Sequence, residues 1–130
     1  MSEPAIAKRT GFVLGGGGKW GAVEVGMLDA LVEHGIRPDL IVGCSIGAIN
    51  GAAFAAQPDR AGIDRLRQFW LEASDQNIID SAITDRIRAV VGRRSHLFDT
   101  DQLRSAIEAL VGDSTFADLR VPYQCVASSI

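Results

Sequence analysis

Long apolar runs are missing from this chain of 130 residues. No stretch approaches the roughly 20 apolar residues that cross a bilayer, so no segment is expected to span one. The start, Met1 to Arg9, has no apolar h-region and does not read as a secretory signal. Cysteine is scarce: Cys44 and Cys125 are too few for a disulfide framework. Both fall at the ends of predicted strands and read as reduced core thiols, which favours an intracellular, cytoplasmic compartment. A large charge excess is missing too. The net charge of −3 gives no reason to expect nucleic acid as a partner. Repeats, low-complexity tracts and interdomain linkers are absent, and the length suits one domain or part of one, able to bury a core. Peripheral contact with a membrane surface is left open by these absences.

What is present is organised around Asp39 to Gly51. Leu40-Ile41-Val42 is an apolar, β-favouring run, and Ala48 to Ala56 is uncharged and rich in helix formers. Between them lies Gly43-Cys44-Ser45-Ile46-Gly47, a G-x-S-x-G pentapeptide in strand-to-helix context. A serine on so sharp a turn sits in strained backbone with its hydroxyl at the top of a sheet, the arrangement of a nucleophile elbow. Gly43 and Gly47 stand where strand and helix approach too closely for a Cβ. The helix after it would begin at Ser45, bringing free N–H groups near the reacting atoms. The same five residues also fit a plain βα turn that holds a small serine.

Upstream, Gly11-Phe12-Val13-Leu14 is a short apolar run that stops at Gly15-Gly16-Gly17-Gly18, a buried strand ending in a loop. Four glycines cannot form the interior of a stable element, but they let backbone N–H groups converge on a negative oxygen. A helix is expected from Lys19 to His34, stopped by Gly35. Its apolar residues Trp20, Val23, Val25, Met27, Leu28, Leu31 and Val32 cover more than one stripe, which predicts burial on most of its surface. Gly21 and Gly26 are read as points of close packing. A right-handed crossover would make the two strands parallel and bring both glycine-containing loops to one sheet edge, where α/β folds bind ligands.

Further on, Pro58 ends the second helix and either Pro58 or Asp59 opens a third. There Ile63, Leu66, Phe69, Trp70 and Ala73 form an apolar face, read as core, with a substrate wall as the alternative for Phe69 and Trp70. Ile83, Ile87, Val90 and Val91 suggest a fourth helix ended by Gly92. Arg86, Arg88, Arg93 and Arg94 around it would suit anionic headgroups, but interspersed Asp80 and Asp85 favour a solvated face. Asp99 with Gln102 reads as a capping box for a helix placing Leu103, Ile107, Leu110 and Val111 on one face, closed by Gly112. Thr115 to Leu119 is a connector, and Val121 to Ala127 a third strand with Pro122 near its start.

Two chemistries compete for the glycine loop. Gly16-x-Gly18-x-x-Gly21 spells the dinucleotide fingerprint after a strand and before a helix. That fold also needs an acidic residue at the end of the second strand. Asp39 precedes that strand and falls at the opposite sheet edge, so the dinucleotide reading lacks its second anchor. Acyl transfer uses both loops together: Ser45 attacks an ester carbonyl, and glycine N–H groups at Gly16 to Gly18 receive the oxyanion. His34 lies about 22 Å along its helix from the glycine loop, at 1.5 Å per residue, and cannot reach Ser45. His96 falls in a loop whose place the sequence does not determine.

Leu14 to Ala22, Gly26-Met27-Leu28 and Pro38 to Ala48 together resemble a patatin-like phospholipase, more weakly so through Thr115 to Leu119 and the Pro122 strand. The resemblance implies a three-layer α/β/α fold with a mostly parallel sheet, and a serine lipid acyl hydrolase working through a Ser–Asp dyad. It implies Ser45 as nucleophile and Gly16, Gly17 and Gly18 as the oxyanion loop, a lipid or acyl-ester substrate, and neither cofactor nor metal. Trp20 stands at the family's Arg/Lys position, Lys19 at the variable one, and Cys44 where Thr is frequent. The family aspartate belongs to a downstream Asp-Gly motif, and no Asp-Gly pair occurs in residues 1–130. Residues 1–130 are therefore expected to be the N-terminal part of one patatin-like domain, catalytically incompetent alone and prone to associate through an exposed strand edge. A naturally short inactive paralogue, or a lipid-binding or interaction module, is the alternative.

Overall fold

A computed structural model of the chain describes residues 8–75 and 100–126. In chain order it contains β1 (Gly11–Leu14), a 3₁₀ turn (Gly18–Trp20), α1 (Gly21–Glu33), β2 (Leu40–Cys44), α2 (Ile46–Ala56) and α3 (Arg60–Asp75). α4 (Thr100–Val111), a second 3₁₀ turn (Phe116–Asp118) and β3 (Tyr123–Val126) follow. The expected fourth helix at Ile83 to Val91, the arginines Arg86 to Arg94, His96 and the Asp99 cap lie outside the described residues.

The three strands form one parallel sheet in the order β1-β2-β3. Gly11 pairs with Leu40 at one end and Leu14 with Gly43 at the other, while Ile41 pairs with Tyr123 and Cys44 with Val126. Successive side chains alternate faces, so Phe12, Leu14, Ile41, Gly43 and Tyr123 share one. Strands joined in spatial order by crossovers of one hand carry their helices on the same side. Burial agrees with that rule. Phe12, Leu14 and Ile41 are buried, whereas Val13 is 79% exposed and Val126 67%.

α2 lies directly on the covered face, hydrophobic all round as a central helix should be. Phe54 on α2 stacks on Phe12 of β1 with ring centroids 6.3 Å apart. α1, α3 and α4 surround α2. From α3, Ile63, Leu66, Trp70 and Ala73 are buried and Phe69 packs against them, as the helical spacing predicts. Full burial of a side chain such as Phe54, Leu28, Ile41, Ile63 or Leu66 contributes about 1.5–3 kcal/mol.

Caps account for the start of α3, the end of α4 and the turn after it. Asp59, rather than Pro58, opens α3: its carboxylate accepts from Gly62 N at 3.0 Å and its carbonyl from Ile63 N. α4 ends at Gly112, whose φ of 61° suits a left-handed stop, and Arg65 donates to the terminal Leu110 carbonyl at 2.6 Å. Thr115 and Asp118 form a capping box, which lowers the Asp118 pKa through the Thr115 side-chain hydrogen bond first and its backbone bond second. The chain is then fastened to α2 before β3, with Arg120 N and Val121 N both donating to Ala55 O.

Three expectations need correction. α1 starts at Gly21, not Lys19, because the preceding turn is a tighter 3₁₀ one closed by Trp20 N donating to Gly17 O at 3.2 Å. It is also far from buried on most of its surface: Trp20, Val23 and Met27 are exposed, and Gly26 has open space where a Cβ would stand. Cys44 and Cys125 are exposed thiols, not core ones: Cys44 alternates with Gly43 and so falls on the uncovered face, and Cys125 lies in the part of β3 that is exposed from Gln124 onward. Among the described residues no helix is long and apolar enough to cross a membrane.

Candidate active site

Parallel pairing places the C-terminal ends of β1 and β2 side by side, so the loops that leave them share one sheet edge. The loop after β2 is the tighter. Ser45 has φ 54° and ψ −125°, the single positive φ outside glycine among the described residues. That pair falls outside even the small left-handed helical well, a conformation costing on the order of 1–3 kcal/mol. The turn is enforced from both sides. A Cβ on Gly43 would stand 2.5 Å from Gly47 O and 2.6 Å from Ala48 Cα. One on Gly47 would stand 2.4 Å from Leu14 O and 2.5 Å from Gly15 O. Backbone cannot give way as a side chain does, so both positions require glycine.

Ser45 is half-buried and occupies the N-cap position of α2, yet its side chain does not cap that helix. An N-cap serine ordinarily does so. Its carbonyl accepts from Ala48 N at 2.9 Å and starts the helix. The glycine loop closes on it from β1. A Cβ on Gly16 would lie 3.3 Å from Ser45 Cβ and 4.0 Å from Ser45 Oγ, so the backbone of Gly16 runs directly beside the serine side chain. Gly17 and Gly18 form the turn into the 3₁₀ segment, with Gly18 at φ 56°. Of the three loop glycines proposed from sequence, Gly16 is thus brought against Ser45, and Gly17 and Gly18 continue the same loop.

β3 completes the edge on the far side of β2. Tyr123 donates its hydroxyl to Ala48 O in the first turn of α2 at 2.7 Å, and its ring stacks on Phe116. Burial, then the neighbouring Cys125, pushes its pKa well above the usual phenol value, so it stays protonated at neutral pH.

Among the described residues, Asp39, Asp59, Asp64, Asp118 and His34 each have a partner away from Ser45. Asp39 accepts from Thr10 N at 2.7 Å at the N-terminal ends of β1 and β2, away from both loops. Asp59 caps α3, Asp64 pairs with Arg67, and Asp118 serves its own capping box. His34 donates from Nδ1 to Ala30 O at the C-terminus of α1. Asp29 was invisible to sequence reasoning: it is bound by both Arg60 and Arg67, tying α1 to α3. Among the described residues no cluster of His, Cys, Asp and Glu is fit to hold a metal.

Sequence reasoning also passed over Asn50, which is fully buried one turn and a half beyond Ser45. Its Nδ2 donates to Gly21 O at 2.9 Å and to Glu24 Oε2 at 3.0 Å, and its Oδ1 accepts from Trp70 Nε1 at 3.0 Å. The signal was available. Asn50 is the one polar side chain between Ile46 and Ala56.

Comparison with known proteins adds an independent finding. The patatin-like phospholipase family profile matches residues 12–129. A patatin-like phospholipase domain-containing protein of Caenorhabditis elegans, ZK370.4, is 32% identical over 120 residues, which is 92% of this chain and 8% of that protein. Patatin-like phospholipase domain-containing protein 7 of Rattus norvegicus is 35% identical over 118 residues, 91% of this chain and 8% of that protein. The neuropathy target esterase sws of Drosophila melanogaster is 29% identical over 120 residues, again 92% and 8%. The chain thus spans under a tenth of the length of these relatives. No solved structure matches it.

Proposed function

The chain belongs to the patatin-like phospholipase family, and on that premise we propose that it carries the nucleophile and oxyanion loop of a serine hydrolase of lipid esters. The observation that supports this most is the conjunction at Ser45: a strained φ of 54° on a non-glycine residue, with the Gly16 backbone beside its side chain. Strain at one residue persists only where the surroundings impose it, and such sites are concentrated where chemistry is done.

In the proposed reaction Ser45 Oγ attacks the ester carbonyl carbon while its proton passes to a carboxylate base. The carbonyl oxygen takes the negative charge and is received by backbone N–H groups of Gly16, Gly17 and Gly18. Loss of one such donor typically raises the barrier by about 3–4 kcal/mol. Collapse breaks the bond to the leaving alcohol, which takes the proton from the base. Water then attacks the acyl-enzyme by the same route in reverse, freeing the acid and Ser45. The base is an aspartate of an Asp-Gly motif beyond residue 130, and residues 1–130 form the N-terminal part of the catalytic domain. Lipid as the acyl donor follows from the family, and exposed Trp20, at the end of the glycine loop, suits an apolar substrate.

An alkyl fluorophosphonate applied to the full protein should attach to Ser45. Ser45→Ala should abolish both that labelling and ester hydrolysis. Persistent labelling of the Ala variant would remove Ser45 from the role, and a parent protein that neither labels nor turns over would favour an inactive lipid-binding module.

A further inference from the structure

The acyl-transfer reading requires two loops from different strands to hold a fixed separation. Gly16 to Gly18 hang between β1 and α1, whereas Ser45 is set by β2 and α2. What determines their spacing is the contact between the first turns of the two helices. Gly21, the first residue of α1, stands three residues beyond Gly18. A Cβ there would meet Trp70 Cζ2 at 2.5 Å and Ile46 Cγ1 at 2.7 Å, and Ile46 is the residue after the nucleophile. Only a glycine allows this approach.

Close packing alone leaves sliding open; directional bonds do not. Asn50 supplies three, reaching α1 twice and α3 once from a fully buried position on α2. Two amide protons and a carbonyl oxygen on one short side chain are needed, which an aspartate, leucine or serine cannot provide. The reverse amide orientation would set Oδ1 against the Gly21 carbonyl and the Glu24 carboxylate, and Nδ2 against the indole N–H. One orientation therefore satisfies every partner. A fully satisfied buried polar network of this kind rigidifies its surroundings, while a partly satisfied one is costly.

We propose that Asn50 is a positioning residue for acyl transfer: it fixes the first turn of α1 against α2 and α3 and so sets the distance from the glycine-loop N–H groups to Ser45 Oγ. The proposal rests on Ser45 being the nucleophile. Asn50 touches no substrate; it acts through Gly21 and the loop that Gly21 ends. Misplacement of oxyanion donors raises the barrier with little effect on ground-state binding, so the loss belongs in kcat rather than KM.

The test uses the full protein, p-nitrophenyl butyrate as substrate and an alkyl fluorophosphonate as active-site probe, with rates expressed per folded molecule from circular dichroism. Asn50→Leu should lower kcat and the phosphonylation rate together by about 30-fold or more, with KM changed less than threefold. Glu24→Ala, which removes one bond from the rim of the network, should lower kcat about threefold, and Glu24→Gln, which keeps an acceptor for Nδ2, should recover most of that loss. A folded Asn50→Leu protein with kcat and labelling rate within twofold of the parent would overturn the proposal, reducing the network to a stability element. If Asn50→Leu does not fold, the Glu24 pair decides: equal kcat for the Ala, Gln and parent proteins overturns it. Ser45→Ala is run alongside. Continued labelling there would refute the nucleophile assignment, and with it this proposal; loss of labelling there with an unaffected Asn50→Leu would refute this proposal alone.

Discussion

α1 and α2 begin alike and end differently. Each follows a glycine-containing loop at the same sheet edge, and each is dominated by Ala, Gly and aliphatic residues. α2 buries seven of its eleven residues, whereas α1 buries only Gly21, Val25 and Leu28 out of thirteen. The reason is position. α2 lies on the sheet with α1, α3 and α4 around it, so every side of it meets protein. α1 is covered by α2 and α3 on one side, and on the other it presents Ala22, Val23, Gly26, Met27 and Ala30, all exposed and all uncharged. Apolar composition thus reports what a helix tolerates, and neighbours decide what it buries.

Changing glycines to alanine probes that contrast with one chemical change. Gly47→Ala should have the largest effect, because its new methyl group must displace the carbonyls of Leu14 and Gly15. A loss of about 3 kcal/mol or more is expected, read as a fall in the urea midpoint. A cost below about 1 kcal/mol would mean that the elbow and β1 are less tightly apposed than described. Gly26→Ala acts in the opposite direction: nothing lies within 4 Å of the added methyl, and the site is a helix interior. It should stabilise by about 0.5–1 kcal/mol, raising the melting temperature. Val23→Lys is the mildest change, on a side chain 53% exposed. Within residues 1–130 it should alter stability by less than about 0.5 kcal/mol. A loss several times larger in a longer chain would locate a segment that covers this face.

The contrast also explains what was legible in the sequence. β1, the glycine loop, β2 and the tight turn at Ser45 were readable because short apolar runs ending in glycine leave few alternatives, and the required closeness at Gly43 and Gly47 follows from chain geometry. The core face of α3 was readable from spacing, since its exposed side carries Asp64, Arg65, Arg67, Gln68 and Glu72 and the pattern is unambiguous. α1 has no such polar face, and its periodicity was silent about which side lies inward. Gly21 and Gly26 looked equivalent, yet one is pressed against Trp70 and the other faces open space. Cys44 and Cys125 were misread for the same reason: a strand end is inside or outside according to what is stacked on it. Asn50 stands out as the one polar residue of its helix, but the partners of Asn50 and Asp29 lie 20 to 38 residues away, and no local pattern reports them.

β3 carries a consequence of its own. Gly11 pairs with Leu40 across 29 residues of chain, whereas Ile41 pairs with Tyr123 across 82 (40 − 11 and 123 − 41). Closing a loop costs about 0.6 kcal/mol for each doubling of its length. The second pairing is therefore dearer than the first by roughly 0.9 kcal/mol before any contact is made. Two anchors on α2 offset that entropy: the Ala55 carbonyl, shared by Arg120 N and Val121 N, and the Ala48 carbonyl held by the Tyr123 hydroxyl. The helix that displays Ser45 is thus also the mooring for the most distant strand, and the flank of the elbow is only as well assembled as that tether is tight.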